Sequence, residues 1–91
     1  MTTLAVRHSV ADFDTWKTSF DAHASVRSGH GMTGYRLLRD GDTVLGIFEF
    51  PDDASVQAFT QDPSLGAAMR EGGVVGAPDI YTLTEVEQVQ Y

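Results

Sequence analysis

The stretch TVLGIFEF, Thr43–Phe50, most constrains what this 91-residue chain can fold into. Alternate residues of a strand point to opposite faces of its sheet. Here Val44, Phe48 and Phe50 share one face, and Leu45 and Ile47 share the other. A strand that is apolar on both faces is buried on both faces. Whatever sheet holds it must therefore be covered twice.

The rest of the chain supplies one cover. Thr3–Val10 reads as a strand with Leu4, Val6, His8 and Val10 on one face. Asp12 is placed to accept the free amides of a first helical turn, and Phe13 to about Ser28 reads as one helix stopped by Gly29 and Gly31. Gly34–Asp40 and Thr43–Phe50 read as a hairpin turning at Gly41-Asp42, with Pro51 closing the second strand. Asp52 or Asp53 caps a short helix to about Gln61 with Val56 and Phe59 inward. Asp62-Pro63 starts another, with Leu65, Ala68 and Met69 as its apolar stripe and Gly72-Gly73 as its end. Asp79–Glu87, rich in β-branched and aromatic residues, reads as the last strand, followed by a polar tail. The order β-α-β-β-α-β is the ferredoxin-like α+β pattern: a four-stranded antiparallel sheet with helices on one face. The helices suffice for one face only, so a second sheet from another copy, as a two-fold homodimer, is expected on the other.

Composition narrows the partners. A chain of this length is expected to be one domain, residues 1–91, burying about 60–65% of its unfolded surface. It has no cysteine, which removes disulfides and thiolate metal sites. Thirteen acidic against six basic residues, a formal charge of −7, argue against nucleic acid and anionic membranes. The start MTTLAV lacks the features of a signal peptide, and no segment approaches the ~20 apolar residues of a membrane span. A soluble, cytoplasmic protein is expected.

The segment RHSVADFDTWKTSFDAHASVR, Arg7–Arg27, carries the chemistry. At about 100° per residue, Phe13 and Phe20 lie within about 60° of Trp16. His23 and Arg27 fall near the centre of that apolar stripe, and His8 shares its strand face with Leu4 and Val6. Two imidazoles between sheet and helix are costly unless hydrogen-bonded, and a wet or ligand-filled cavity relieves the cost. The plainer alternative is a satisfied core histidine, with Arg27 snorkelling from the helix end. Tyr35, Tyr81, Arg36 and Arg39 are further candidates for the lining, against ordinary half-buried strand positions. His8 and His23 with Glu49 would resemble a two-histidine, one-carboxylate metal site, but no HxH or HxxxH spacing supports it, and no metal is expected. His30, in GHGMTG, is expected in solvent. Arg7 and Glu49 would pair on one sheet face. REGGVVGAPDIY, Arg70–Tyr81, lacks the spacing and lysine of a phosphate loop and reads as a helix cap and loop. No GxSxG elbow or recognisable triad occurs.

The segments VRHSVADFDTWKTSFDAHASVR, GYRLLRDGDTVLGIFEFPDDASVQAF and AAMREGGVVGAPDIYTLTEVE resemble small bacterial proteins of the dimeric α/β-barrel superfamily, including cyclases and antibiotic-biosynthesis-monooxygenase-like proteins. The resemblance spans nearly the whole chain. It implies a homodimer and a ligand held between sheet and helices. Strand histidine, helix tryptophan and helix histidine match at His8, Trp16 and His23. The asparagine of haem-degrading relatives has no counterpart, because the chain contains no asparagine. The superfamily hosts many reactions, so it does not select one.

Together these readings lead to an enzyme without a tightly bound cofactor, acting on a hydrophobic aromatic or polyketide-like molecule as a cyclase or cofactor-independent monooxygenase. His8 or His23 would be the general base. Arg27 or Arg36 would hold the developing enolate or phenolate. Trp16, Phe20, Tyr35, Phe48 and Phe59 would line the substrate site. The alternatives are a non-catalytic ligand-binding module of the same fold and a purely structural dimer with core-filling histidines.

Overall fold

Strand parity dictates the architecture. In the computed structural model, which describes residues 1–91, β1 (Thr2–Val10) lies at the centre of an antiparallel sheet of order β2-β3-β1-β4. The other strands are β2 (Gly34–Asp40), β3 (Thr43–Phe50) and β4 (Val74–Thr84). The pairs Leu4↔Phe48, Val6↔Gly46 and His8↔Val44 set β1 and β3 in a register that puts their apolar residues on one face. The helices α1 (Phe13–Ala22), α2 (Ala24–Gly29), α3 (Asp53–Thr60) and α4 (Pro63–Glu71) cover that face. This is the expected ferredoxin-like β-α-β-β-α-β arrangement.

Leu4, Val6, Phe48, Phe50, Val56 and Phe59 form the larger core, and Val10, Trp16 and Val44 form a smaller one. Each buried aliphatic or aromatic side chain contributes about 1.5–3 kcal/mol. The caps follow the sequence: Asp12, Asp52 and Asp62 accept from the amides of Thr15, Ser55 and Ser64. The hairpin turns on Gly41, whose φ of 58° suits glycine.

Three expectations need correction. The first helix is not continuous: it breaks at His23, which ends α1 and begins α2. At the break, the Arg27 guanidinium donates to the Phe20 carbonyl at 2.7 Å, a side chain entering the backbone ladder. The last strand starts at Val74 rather than Asp79 and stops at Thr84 rather than Glu87. Gly76 and Pro78 looked like loop residues, but a bulge absorbs them. The register passes from Arg7↔Asp79 to Ser9↔Val75, so Gly76, Ala77 and Pro78 together oppose His8. Finally, Arg7 and Glu49 do not pair. Arg7 donates to Asp79 at 2.8 Å, and Glu49 accepts from Thr3 at 2.9 Å.

The second sheet face carries Leu45 and Ile47 in its middle, with Leu38, Tyr81 and Leu83 exposed around them. No helix of the chain covers it. No helix is long and apolar enough to cross a membrane.

Candidate active site

His8, opposite the bulge, and His23, at the helix break, border the same hollow. It lies between the sheet and α1, α2 and α4, encloses about 60 Å³, and is lined by His8, His23, Arg27, Trp16, Phe20, Phe48 and Phe59 among others. Glycine shapes its floor. A Cβ on Gly46 would lie 2.4 Å from the Phe48 ring, so only a bare Cα lets that ring lie flat across the strand. Gly72 similarly admits the Trp16 indole, which a Cβ would approach to 3.1 Å. Trp16 stacks on Phe20 at 5.0 Å between ring centroids and meets His8 at 5.4 Å.

His8 is 8% exposed, and neither of its ring nitrogens has a hydrogen-bond partner. An orphaned buried polar group costs about 1–3 kcal/mol. Burial pushes its pKa below the ordinary value, so the ring is neutral at pH 7 with a free lone pair.

Arg27 is 5% exposed rather than snorkelling. Its guanidinium lies 3.6 Å over the Phe20 ring, and no carboxylate lies within ion-pair distance. Burial lowers its pKa, but an arginine remains a cation. A buried cation whose neighbours are the Phe20 ring and carbonyl and Tyr35, with no carboxylate paired to it, can bind an anionic oxygen. Arg27 is also the wall between the hollow and a more open groove of about 190 Å³ that Met32 and Tyr35 line.

His23 occupies the other end. Its Nε2 lies 3.1 Å from the Ser64 hydroxyl. Burial lowers its pKa foremost, Arg27 lowers it further, and Asp62 and Glu71 oppose the shift. His30 is not free in solvent: its Nε2 donates to Asp62 at 2.8 Å. Asp62 and Ser64 escaped the sequence reading because capping by Asp62 already accounted for both.

Tyr35 borders the groove rather than the hollow. Arg36 is corrected outright. It pairs with Ile47 in the sheet and points from the uncovered face, so it cannot reach a charge developing beside His8. The parity of β2 decides this. Glu49 shares that face and cannot join His8 and His23 around a metal. Tyr81, opposite Ala5, is also on that face, while Arg39 lies 4.1 Å over the Phe13 ring, away from the hollow.

No protein-family model matches the chain, and no curated protein matches it. Solved structures match its fold at low identity. SnoaB, a cofactor-independent oxygenase from Streptomyces nogalater, superposes with a TM-score of 0.80 at 13% identity, covering 99% of this chain and 97% of that one. A monooxygenase from the ActVA-Orf6 gene of Streptomyces coelicolor, in complex with nanaomycin D, gives 0.69 at 14%, covering 99% and 91%. MhuD with two manganese protoporphyrin IX molecules bound per active site gives 0.75 at 16%, covering 100% of both chains. The chain thus has the ferredoxin-like fold that these solved structures share. The same fold holds nanaomycin D in one neighbour and manganese protoporphyrin IX in another, so the reaction must be argued from the site.

Proposed function

We propose that the chain is a small-molecule monooxygenase that needs no bound cofactor and acts on a flat, hydrophobic aromatic or polyketide-like substrate. The observation that carries this reading is His8, a neutral base whose two buried nitrogens have no partner inside an apolar hollow. A phenol hydroxyl or an acidic C–H beside a carbonyl would supply the missing partner. His8 would accept that proton. Arg27 would hold the enolate or phenolate that forms. Trp16, Phe20 and Phe48 would desolvate the ring.

The electron-rich anion could then react with O₂. For an activated ring CH₂, one oxygen atom becomes the carbonyl, and the other leaves with both hydrogens as water. The hollow at about 60 Å³ lies well below the ~300 Å³ lower end of ligand sites, so a fused-ring substrate would have to move the Arg27 wall and join the hollow to the groove of about 190 Å³. Together they are small for a porphyrin. A second copy would cover the sheet face that bears Leu45 and Ile47, and size-exclusion chromatography with light scattering should show a dimer, which Ile47→Asp converts to monomer.

The test is turnover of anthrones and hydroxynaphthalenes in air, followed by quinone absorbance and oxygen uptake. His8→Leu should lower the rate at least ~10²-fold with the fold intact. Unchanged turnover in that variant would remove His8 from the mechanism. Saturable quenching of Trp16 fluorescence with no product at all would favour the alternative, a ligand-binding module.

A further inference from the structure

Four side chains from three helix junctions form one hydrogen-bonded row. His30 Nε2 meets Asp62 Oδ2 at 2.8 Å, Ser64 Oγ meets Asp62 Oδ1 at 2.7 Å, and His23 Nε2 meets Ser64 Oγ at 3.1 Å. His30 follows α2, Asp62 caps α4, Ser64 lies in the first turn of α4, and His23 is the break between α1 and α2. Edge-on packing against Phe59, 5.8 Å between ring centroids, holds the His30 ring.

Proton counting settles the direction of every bond. The hydrogen bonds from His30, Ser64 and the Ser64 amide hold Asp62 ionised, far below the usual carboxylate range. An ionised carboxylate only accepts. Ser64 therefore spends its single hydroxyl hydrogen on Asp62, and His30 donates from Nε2. The Ser64 oxygen has only lone pairs left for His23, so His23 must donate to it from Nε2. In the neutral ring this leaves Nδ1 as the basic atom, and no protein group bonds to it.

We propose that His30, Asp62 and Ser64 are positioning residues that hold His23 in its Nε2–H tautomer and present Nδ1 as a second proton-handling atom of the hollow. The role assigned to Nδ1 rests on reading the hollow as a reaction site; the tautomer does not. When Nδ1 takes a proton, the charge on His23 is met through Ser64 by the Asp62 carboxylate. Asp62 steadies that charge and does not take the proton, because it is by far the stronger acid. The charged and titratable groups around His23 are Arg27 from α2, Asp62 and Glu71 from α4, and His30 behind Asp62. His8 and His23 would then divide the work: the imidazole without a partner takes the first proton of the ring CH₂, and the one with a fixed tautomer takes the second at Nδ1 as the carbonyl forms, so that both protons leave with the departing oxygen as water.

The test needs no substrate. Long-range ¹H–¹⁵N correlation spectra of the labelled protein report which ring nitrogen of His23 carries the proton, with His23→Gln identifying its signals. The expected wild-type pattern is protonated Nε2 and bare Nδ1. Ser64→Ala should mix the two tautomers, and Ser64→Thr, which restores the hydroxyl, should recover the single one. Asp62→Asn keeps a good helix cap and removes the charge, so the His23 titration midpoint should move down. A wild-type proton on Nδ1 overturns the proposal without any variant. So does a tautomer indifferent to Ser64→Ala, or a midpoint indifferent to Asp62→Asn. A fixed Nε2–H tautomer in a protein that turns over nothing would leave the positioning intact and sink only the reaction proposed for the hollow.

Discussion

The two ends of the hollow treat the same side chain in opposite ways. At the strand end, His8 is sealed by Trp16 and the sheet, and neither nitrogen has a partner. At the helix end, His23 is partly open, and its Nε2 is committed to a row of three polar residues. An imidazole with no partner is costly to the fold and available to a ligand. One with a fixed partner is cheap to keep and oriented. The contrast teaches that a buried polar group is evidence of a site to the extent that the protein leaves it unsatisfied.

The contrast can be broken most severely at the wall nearest its strand end. Trp16→Ala should cost about 3–5 kcal/mol, read by urea denaturation, because a large buried ring leaves a cavity that the sheet cannot close. In that variant His8 should gain water and titrate closer to its ordinary value of 6.5. Both effects should be absent if the indole is merely surface packing.

The next effect runs against intuition. His8→Leu, which damages turnover, should raise stability by about 1–2 kcal/mol, since an apolar side chain of similar size replaces an orphaned polar one. The trade can be followed with pH. The folded chain holds His8 neutral, whereas the unfolded chain protonates it at its ordinary value, 6.5. The unfolded state therefore binds more protons below that value, and stability falls as pH drops beneath it. His23, also lowered, acts in the same direction. Asp62, lowered from 3.8, weakens the fold only at more acidic pH. The melting temperature of the native chain should fall between pH 7 and 5.5, and that of His8→Leu should fall less. Equal slopes would mean that His8 is hydrated and would erase the contrast. The helix end responds in the opposite sense: Ser64→Ala should cost about 1–2 kcal/mol, because the hydroxyl donates to the ionised Asp62 and accepts from His23.

Much of this arrangement was legible along the chain. The alternation of Leu4, Val6, His8 and Val10 placed His8 under the helices, because strand parity is a local property that one strand carries by itself. The 3.6-residue spacing put His23 and Arg27 in line with Trp16 and Phe20, and the break at His23 did not disturb that alignment. The Asp12 and Asp62 caps and the Gly41-Asp42 turn were equally plain, since each is satisfied within three or four residues, while the structure chose Asp52 over Asp53 for the third cap.

Other features depend on parts of the chain that meet only in the fold. Arg36 faces away from the hollow because its strand takes its orientation from β3, so no inspection of GYRLLRD alone assigns its face. The final strand begins at Val74 because β1 accepts a bulge there, which hides Gly76 and Pro78 inside what reads as a loop. The row from His30 to His23 joins residues 32 and 41 positions apart. Short-range patterning thus determined the elements, their caps and the inward faces. Packing decided which polar groups found partners and which did not, because hydrogen bonds between junctions exist only once the helices are docked on the sheet.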